Sequence, residues 1–252
     1  MMNREYFVLM RKLWEEGINT SPRGMKTKEL FNYTLRLDVP ACSKVTIPGF
    51  ETNISYAEAE LDWYFSGGNR MDGLGRFGKC WQGFSDDGVH VNSAYGHRIF
   101  GKHPKVKLNQ WQWCVKKLRE DPDTRQAVIN LNAAFDKAKP TKDFVCTVFC
   151  QMLARRGRLH WFTYMRSTDA FLGIRNDVFC FTGMQRVMAK QLGLALGKYY
   201  HTATSTHLYE KQFKKARELC EKHYPVRAYA NTVYKLDVRA IKDKHWKTLG
   251  WE

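Results

Sequence analysis

Two spacings of apolar residues recur along the chain. Over residues 3–16 the apolar side chains fall at helical intervals and Gly17 ends the run, which predicts a helix. Helices are predicted in the same way over residues 58–65, 108–119, 178–196 and, with a basic composition, 209–223. Shorter runs of strand composition predict strands over residues 127–131, 144–154, 158–165 and 199–206.

The order of these elements indicates one α+β domain. Strands and helices do not alternate regularly, so the predicted fold is a mixed β-sheet packed by helices. A turn at Arg156 and Gly157 joins two of the strands into a hairpin. The chain has 44% hydrophobic residues and no repeat or long linker. We therefore interpret residues 1–252 as a single domain with a substantial core.

The composition narrows the class of protein. No apolar run approaches the roughly 20 residues that span a bilayer, and the first residues lack the features of a secretory signal. A soluble cytoplasmic protein is therefore expected. Seven scattered cysteines without CxxC spacing predict reduced thiols. Cys146 and Cys150 would need distant partners to bind zinc, so we predict no metal site.

The net charge of the chain indicates the sign of the charge on a binding partner. A net charge of +16 predicts an anionic partner, such as a nucleotide phosphate, a polyanionic cofactor or nucleic acid. The basic residues between positions 211 and 247 also fit an ordinary solvated helix face. The charge alone does not choose between these partners.

One glycine motif resembles a dinucleotide-binding fingerprint but lacks its context. Gly73, Gly75 and Gly78 match the GxGxxG pattern. In dinucleotide-binding domains this pattern follows a strand and opens a helix. Here more glycine precedes it and no helix cap follows, so we interpret the segment as a flexible loop.

The most informative segment is Arg166–Gly173, which reads RSTDAFLG. An arginine and a serine at the end of a strand can bind a phosphate. The predicted hairpin brings Cys146 close to Arg166, and a guanidinium beside a thiol favours the nucleophilic thiolate. Two simpler interpretations remain open, namely a salt-bridged turn and a small cysteine in the core.

Further motifs accompany this pair. They are Gln151 five residues after Cys146, DPDTR at 121–125, THLY at 206–209, ELDW at 60–63, and the stretch from Cys80-Trp81 to Tyr95-Gly96. Taken in their order along the chain, these motifs resemble the thymidylate synthase family over roughly residues 20–215. The resemblance implies an α+β fold, a homodimer interface on one face of the sheet, 5,10-methylenetetrahydrofolate as one-carbon donor, and a pyrimidine nucleoside monophosphate as substrate.

The resemblance also implies roles for individual residues. Cys146 adds to C6 of the base, Glu60 organises water and proton transfer, and Tyr95 assists proton removal from C5. The substrate is bound by Arg23, Arg166 and Ser167 at the phosphate, by Arg125 from the partner subunit, by His207 and Tyr209 at the ribose hydroxyl, and by Gln151. The folate contacts Trp81, Phe84, Asp169, Leu172 and Gly173. Gln126 replaces the second arginine of the family, which leaves the role of Arg125 less certain.

The residue that reads the base departs from the family. Thymidylate synthases have an Asn at this position, whereas the string GIRND here has Asp177. A carboxyl group accepts a hydrogen bond from the N4 amino group of cytosine, and a shared proton can bridge to N3. An ionised carboxylate would face the lone pairs of uracil O4. GIRND also resembles the GFRND of phage deoxycytidylate hydroxymethylases. We therefore predict dCMP as the substrate, although Asp177 would also suit the start of a helix.

Three further departures favour water over hydride as the group that ends the reaction. Phe84 stands in place of a tryptophan, Thr147 in place of a histidine, and the tail 247–252 does not resemble the apolar terminus of the family. The sequence therefore predicts a dCMP hydroxymethyltransferase. The alternatives are a methyltransferase acting on dCMP or dUMP, a CMP hydroxymethylase, and a basic nucleic-acid-binding protein without catalysis.

Overall fold

A six-stranded mixed sheet forms the centre of the protein in a computed structural model that describes residues 2–102, 105–137, 140–221 and 233–251. The strands are β1 (Ile18–Thr20), β2 (Thr27–Leu37), β3 (Val128–Asn130), β4 (Thr147–Arg155), β5 (Arg158–Asp169) and β6 (Ala195–Tyr209). Their order in the sheet is β1-β2-β6-β5-β4-β3. All neighbouring strands are antiparallel except β5 and β6, which are parallel.

Seven α-helices surround the sheet in the described part of the chain. They are α1 (Met2–Glu16), α2 (Ile54–Ser66), α3 (Tyr95–Phe100), α4 (Gln110–Glu120), α5 (Gly173–Gln191), α6 (Phe213–Glu221) and α7 (Val238–Leu249). Local signals set several of their ends. Asn53 and Asn109 cap α2 and α4 through their side chains, and Gly67 ends α2 in the left-handed conformation.

The core lies on one face of the sheet, between the sheet and α5. This helix connects the two parallel strands, which need a crossover, and most of its residues are buried. On the strands, the inward positions are the buried ones, for example Trp161 and Tyr199, which are fully buried. The alternation of buried and half-buried residues along β4, β5 and β6 follows the two-residue period of a strand.

The opposite face of the sheet carries half-buried aromatic side chains. Phe149 stacks on Tyr164, with ring centroids 5.5 Å apart. Phe162 stacks on Tyr200 at 4.7 Å. Each pair joins residues that are direct neighbours across two strands. We refer to these four residues as the aromatic face.

The α+β fold with a mixed sheet is confirmed, but several predicted boundaries are wrong. The predicted strand 144–154 begins only at Thr147. The predicted helix 178–196 begins earlier, at Gly173, and ends at Gln191, because Gly193 adopts a positive φ and Ala195 already pairs in β6. The predicted basic helix 209–223 begins at Phe213, and its last two residues lie outside the described part.

The glycine motif forms a defined structure and not a flexible loop. Residues Met71–Trp81 form a 3₁₀-helical segment that is broken at Gly75, where φ is 54°. Helix α2, and not a strand, is the element directly before it, and Arg70 makes an isolated bridge with His90. The segment therefore lacks the strand and helix of a dinucleotide-binding turn, as the sequence predicted.

None of the seven cysteines forms a disulfide bond. Within the described residues, no group of three or more His, Cys, Asp or Glu side chains is arranged to hold a metal ion. In the same part of the chain, no helix combines the length and the apolar character needed to cross a membrane.

Candidate active site

The hairpin β4–β5 brings Cys146 and Arg166 together. Its turn uses Arg156 and Gly157, both with positive φ, as the hairpin geometry requires. At the other end of the hairpin, the backbone N–H of Arg166 donates to the carbonyl oxygen of Cys146 at 2.9 Å. Nη2 of Arg166 lies 3.5 Å from Sγ of Cys146. The predicted proximity of the thiol and the guanidinium is therefore present.

The guanidinium of Arg166 is held by the segment that leads into the cysteine. Its Nη2 donates to the carbonyl oxygen of Phe144 at 2.7 Å, and its Nε donates to that of Val145 at 3.0 Å. It also lies over the ring of Phe144, 5.1 Å from the centroid. The cation is thus fixed in direction before any substrate binds, which is the condition for efficient electrostatic catalysis.

Burial raises the pKa of the Cys146 thiol above its ordinary value. Arg166 and, more weakly, Arg23 lower it, whereas Asp177 and Asp143 raise it further. The prediction that the neighbouring guanidinium would leave the thiolate favoured is therefore wrong in its net effect. Arg166 acts in the predicted direction, but desolvation outweighs it.

A group of polar side chains surrounds this pair and suits an anion. Oγ of Ser167 lies 3.3 Å from Nδ1 of His207 on the adjacent strand β6. Arg23 is exposed and has a positive φ of 55°, a costly conformation for a residue other than glycine. Its charge is close enough to lower the pKa of both Cys146 and His207. The ring of Tyr209 packs edge-on against His207 at 5.0 Å.

The turn after β5 exposes an apolar side chain next to this group. Asp169 accepts hydrogen bonds from the backbone N–H groups of Phe171 and Leu172, at 2.7 and 3.3 Å, and so fixes the turn. Leu172 is 56% exposed as a result. The helix α5 begins immediately afterwards at Gly173.

An aromatic platform, formed by Trp81 and Phe84, contributes a second exposed apolar surface. Their ring centroids are 5.9 Å apart, and Phe84 is 52% exposed. Exposed aromatic rings beside a polar site suit stacking against a flat heteroaromatic ring.

Glu60 is buried on α2 and is held by donors at both carboxylate oxygens. The hydroxyl of Tyr56 donates to Oε1 at 3.2 Å, and the side-chain amide of Asn176 donates to Oε2. Sγ of Cys180 also lies 3.7 Å from Oε2. Burial raises the pKa of Glu60 to about 7, although these hydrogen bonds oppose the change. A carboxyl group with this pKa can exchange protons near neutral pH.

Asp177 lies in the second turn of α5, so it does not begin the helix, and that simpler interpretation is wrong. A Cβ placed on Gly173 would lie 3.4 Å from Oδ2 of Asp177, so the carboxyl group packs over this glycine. Burial, followed by the charges of Glu60 and Asp169, raises the pKa of Asp177 well above its usual range. The protonated form of Asp177 is therefore favoured, and this form can donate a hydrogen bond as well as accept one.

Tyr95 completes the site from α3. Its ring stacks on Phe181 at 5.8 Å and contacts Tyr64 at 5.4 Å. The next residue must be glycine, because a Cβ on Gly96 would lie only 2.3 Å from the carbonyl oxygen of Tyr64. Burial raises the pKa of Tyr95 well above its ordinary value, with a smaller effect from Asp177. The hydroxyl can therefore relay a proton but is not itself ionised.

Comparisons with known proteins agree with this geometry. A family model described as "Thymidylate synthase" matches residues 4–248. The chain belongs to the thymidylate synthase family. It is also 31% identical, over 214 residues, to a protein named deoxyuridylate hydroxymethyltransferase from Bacillus phage SP01. The aligned region covers 81% of this chain but only 56% of that relative.

Most of the residues predicted from the motifs of the thymidylate synthase family lie in this cluster. Members transfer a one-carbon unit from 5,10-methylenetetrahydrofolate to a pyrimidine nucleoside monophosphate. Among the residues predicted from the family motifs, two do not join the cluster. Nε2 of Gln151 donates to the carbonyl oxygen of Arg125 at 2.8 Å. Gln151 lies five residues beyond Cys146, roughly 17 Å along an extended strand. Both residues are therefore remote from Cys146 of the same chain.

Three residues of the site were missed by the sequence analysis. Tyr56, Asn176 and Cys180 contact the carboxylate of Glu60. Tyr56 stands four residues before Glu60 on α2, a spacing that puts both on one helix face, so this signal was available in the sequence. Asn176 and Cys180 come from a different helix, and only the packing of α2 on α5 brings them to Glu60.

Proposed function

We propose that residues 1–252 form one catalytic domain that transfers a hydroxymethyl group to C5 of dCMP. The observation that carries this proposal is the Cys146–Arg166 pair at 3.5 Å, with the buried carboxyls of Glu60 and Asp177 in the same cluster. A nucleophile, a fixed cation and two carboxyls with raised pKa values are the groups that addition to a pyrimidine ring requires. The pyrimidine monophosphate substrate follows from the family.

In the proposed reaction 5,10-methylenetetrahydrofolate supplies the one-carbon unit. The sulfur of Cys146 adds to C6 of the base, which makes C5 nucleophilic. Because burial keeps the thiol protonated, Arg166 must stabilise the thiolate as it forms. Glu60 orders water and transfers protons at the base, and the hydroxyl of Tyr95 relays the proton that leaves C5. The folate would leave as the one-carbon unit passes to C5, water would add to the resulting exocyclic methylene group, and elimination of Cys146 would regenerate the free thiol.

The basic and polar residues bind the nucleotide away from the reacting carbons. Arg23, Arg166 and Ser167 bind the 5′-phosphate, and His207 with Tyr209 binds the ribose hydroxyl. Burial lowers the pKa of His207, so its imidazole is neutral and can exchange hydrogen bonds with a hydroxyl. The binding energy of a dianionic phosphate holds the base over the sulfur, which lowers the entropic cost of addition.

The choice of cytosine rests on Asp177. A neutral carboxyl group has one donor and one acceptor. Its O–H donates to N3 of cytosine while its carbonyl oxygen accepts from the N4 amino group. Glu60 and Asp169, whose negative charges raise the pKa of Asp177, keep the proton available for this bond. The string GIRND at 173–177 also resembles the phage enzymes that act on cytosine.

A second candidate substrate is dUMP. The relative with 31% identity carries the name deoxyuridylate hydroxymethyltransferase. A neutral Asp177 can move its proton to the other oxygen and then donate to O4 of uracil while accepting from N3–H. The two candidates differ only in which oxygen of Asp177 carries the proton.

Two features support water as the nucleophile that adds to the exocyclic methylene group at C5. The C-terminal helix α7 is held by hydrogen bonds from the start of α4 and the end of α5. Asn109 donates to the carbonyl oxygen of Thr248 at 2.8 Å, and Gln191 donates to that of Leu249 at 3.1 Å. Thr147 is fully buried and offers less bulk than histidine next to the cysteine. We infer that the smaller side chain of Thr147 makes room for water near the reacting carbon.

The deciding experiment supplies purified protein with 5,10-methylenetetrahydrofolate and either dCMP, dUMP or CMP. Mass spectrometry then measures the nucleotide. We expect dCMP to gain the mass of CH₂O. A gain of CH₂ instead would mean that hydride ends the reaction and that the protein is a methyltransferase. Product from dUMP alone would favour the second candidate. Folded protein that modifies none of the three nucleotides would support a nucleic-acid-binding protein without catalysis.

We also propose that the protein acts as a homodimer through its aromatic face. The stacked pairs Phe149–Tyr164 and Phe162–Tyr200 offer an apolar surface of the kind that subunit interfaces cover. Arg125 is exposed and remote from its own Cys146. An arginine in this position can serve the phosphate site of a partner subunit across a two-fold axis.

Mixing two inactive variants tests this arrangement. We expect Arg125→Ala and Cys146→Ser to lose most activity separately. After unfolding and refolding together, activity should return to about a quarter of the wild-type value, since half of the dimers are mixed and each has one complete site. If Arg125 acts within its own subunit, no mixed dimer has a complete site and the activity does not return. Light scattering on the mixture checks that dimers have formed.

A further inference from the structure

A chain of hydrogen bonds reaches Glu60 from outside its own helix. The indole Nε1 of Trp81 donates to the hydroxyl oxygen of Tyr56 at 3.1 Å. The hydroxyl of Tyr56 in turn donates to Oε1 of Glu60 at 3.2 Å. These three residues form a continuous relay from the aromatic platform to the buried carboxylate.

The direction of the relay is fixed by chemistry. An indole N–H can only donate, so the oxygen of Tyr56 must accept from Trp81. The single hydrogen of the hydroxyl is then free to donate to Glu60. Each bond polarises the next one in the same sense, which strengthens both in a buried setting.

The ring of Tyr56 is also held in place. It lies between α2 and the 3₁₀-helical segment, and its edge meets the ring of Phe77 at 5.4 Å and 89°. Trp81 packs on Trp63 of α2 at 6.2 Å. A displacement of the Trp81 indole is therefore transmitted to the carboxylate of Glu60 through two hydrogen bonds and a closely packed ring.

We propose that Tyr56 is a positioning residue that couples the folate-facing indole of Trp81 to the carboxylate of Glu60. This inference rests on the proposed function, because Trp81 is the folate platform only if the protein binds folate. A folate that stacks on Trp81 fixes the indole, and the indole fixes the hydroxyl of Tyr56. The carboxylate of Glu60 is then oriented for water and proton transfer when the one-carbon donor is present.

The surroundings of Glu60 define what the loss of Tyr56 would do. The titratable groups that face it are Tyr56 and Tyr64 on its own helix, Tyr95 on α3, and Asp177 and Cys180 on α5. Trp81 and Asn176 add uncharged donors. The Tyr56 hydroxyl favours the ionised carboxylate and lowers its pKa, so its removal raises the pKa of Glu60.

The test uses Tyr56→Phe, which keeps the ring against Phe77 and removes only the hydroxyl. Protein labelled with ¹³C at the glutamate carboxyl is titrated by NMR, and Glu60→Gln assigns the signal. We expect the pKa of Glu60 to rise by about one unit in the variant, since a lost hydrogen bond to a charged group has an effect of this order. Tyr33→Phe on β2 is the matched control and should leave the pKa of Glu60 unchanged.

The second measurement adds tetrahydrofolate to each protein. In the wild type we expect the Glu60 signal to shift, and in Tyr56→Phe we expect no shift although tetrahydrofolate still binds. The kcat of the variant should fall about tenfold with the KM for the nucleotide unchanged, as expected when acid–base assistance is weakened.

Two results would overturn the inference. One is a pKa of Glu60 that is equal in the wild type and in folded Tyr56→Phe. The other is a folate-induced shift of the same size in both proteins. The first titration needs neither folate nor turnover, so a protein without activity in which Tyr56→Phe still moves the pKa of Glu60 would refute the proposed function and leave the relay intact.

Discussion

Replacing Cys146 by serine should abolish turnover while leaving nucleotide binding intact. The sulfur is the group that bonds to C6 in the proposed reaction, and a serine hydroxyl has a far higher pKa than a thiol. Arg166, at 3.5 Å, can stabilise a thiolate but not create an alkoxide. We expect kcat to fall by at least about 10⁴-fold, as in other enzymes that lose their nucleophile. Product formation by mass spectrometry and dCMP binding by calorimetry check the two parts.

The control for this change is Cys220→Ser. Cys220 is a half-buried free thiol on α6, so the same chemical substitution is made away from the site. We expect its activity to stay close to that of the wild type. If Cys146→Ser keeps substantial activity, the sulfur does not form a covalent bond to the base. If it loses activity and dCMP binding together, its effect is structural.

The sequence predicted the architecture well where local signals and global packing agree. The hairpin with Arg156 and Gly157 in its turn is one example, since positive φ at both residues is what a tight antiparallel turn requires. The helix from Met2 to Glu16 is another, because its apolar stripe is also its buried face. The pairing of Cys146 with Arg166 followed from the same hairpin.

The predicted boundaries of helices and strands are wrong where a helical pattern and a strand pattern of apolar residues overlap. Residues 192–196 continue an apolar helical pattern, but Gly193 leaves the helix and Ala195 pairs with Arg158 in the parallel part of the sheet. The start of α5 at Gly173 was not predicted, because this residue was assigned to the motif at residues 166–173 and not to a helix. In both cases tertiary contacts overrode the local pattern.

The charge states of the site could not be predicted from the sequence. They depend on desolvation, which requires knowing what packs around each group. Cys146 beside Arg166 suggested a lowered pKa, yet burial raises it. The sequence does not show that burial, together with the charges of Glu60 and Asp169, raises the pKa of Asp177 well above its usual range. The sequence identifies which ionisable residues form the site, but their pKa values depend on burial and on neighbours that only the folded structure shows.

Replacing Asp177 by asparagine should reverse the preference for the base. The neutral carboxyl can exchange its proton between two oxygens, whereas an amide has a fixed donor and a fixed acceptor. In the thymidylate synthase family an asparagine at this position pairs with uracil. We therefore expect the ratio of activities on dCMP and dUMP to fall by about 10²-fold or more in Asp177→Asn, the size typical of hydrogen-bond discrimination. Competition between the two nucleotides in one reaction measures this ratio.

The matched control is Asp237→Asn, which makes the same change at the acid that caps α7. Asp237 accepts hydrogen bonds from the backbone N–H groups of Arg239 and Ala240, so this variant should leave the ratio unchanged. An equal ratio in Asp177→Asn and the wild type would remove Asp177 as the base reader. A wild type that already prefers dUMP would instead mean that the proton of Asp177 rests on the oxygen that faces O4. In that case Asp177 performs the task of an asparagine, because a buried carboxyl group kept neutral by its acidic neighbours presents the same donor and acceptor as an amide.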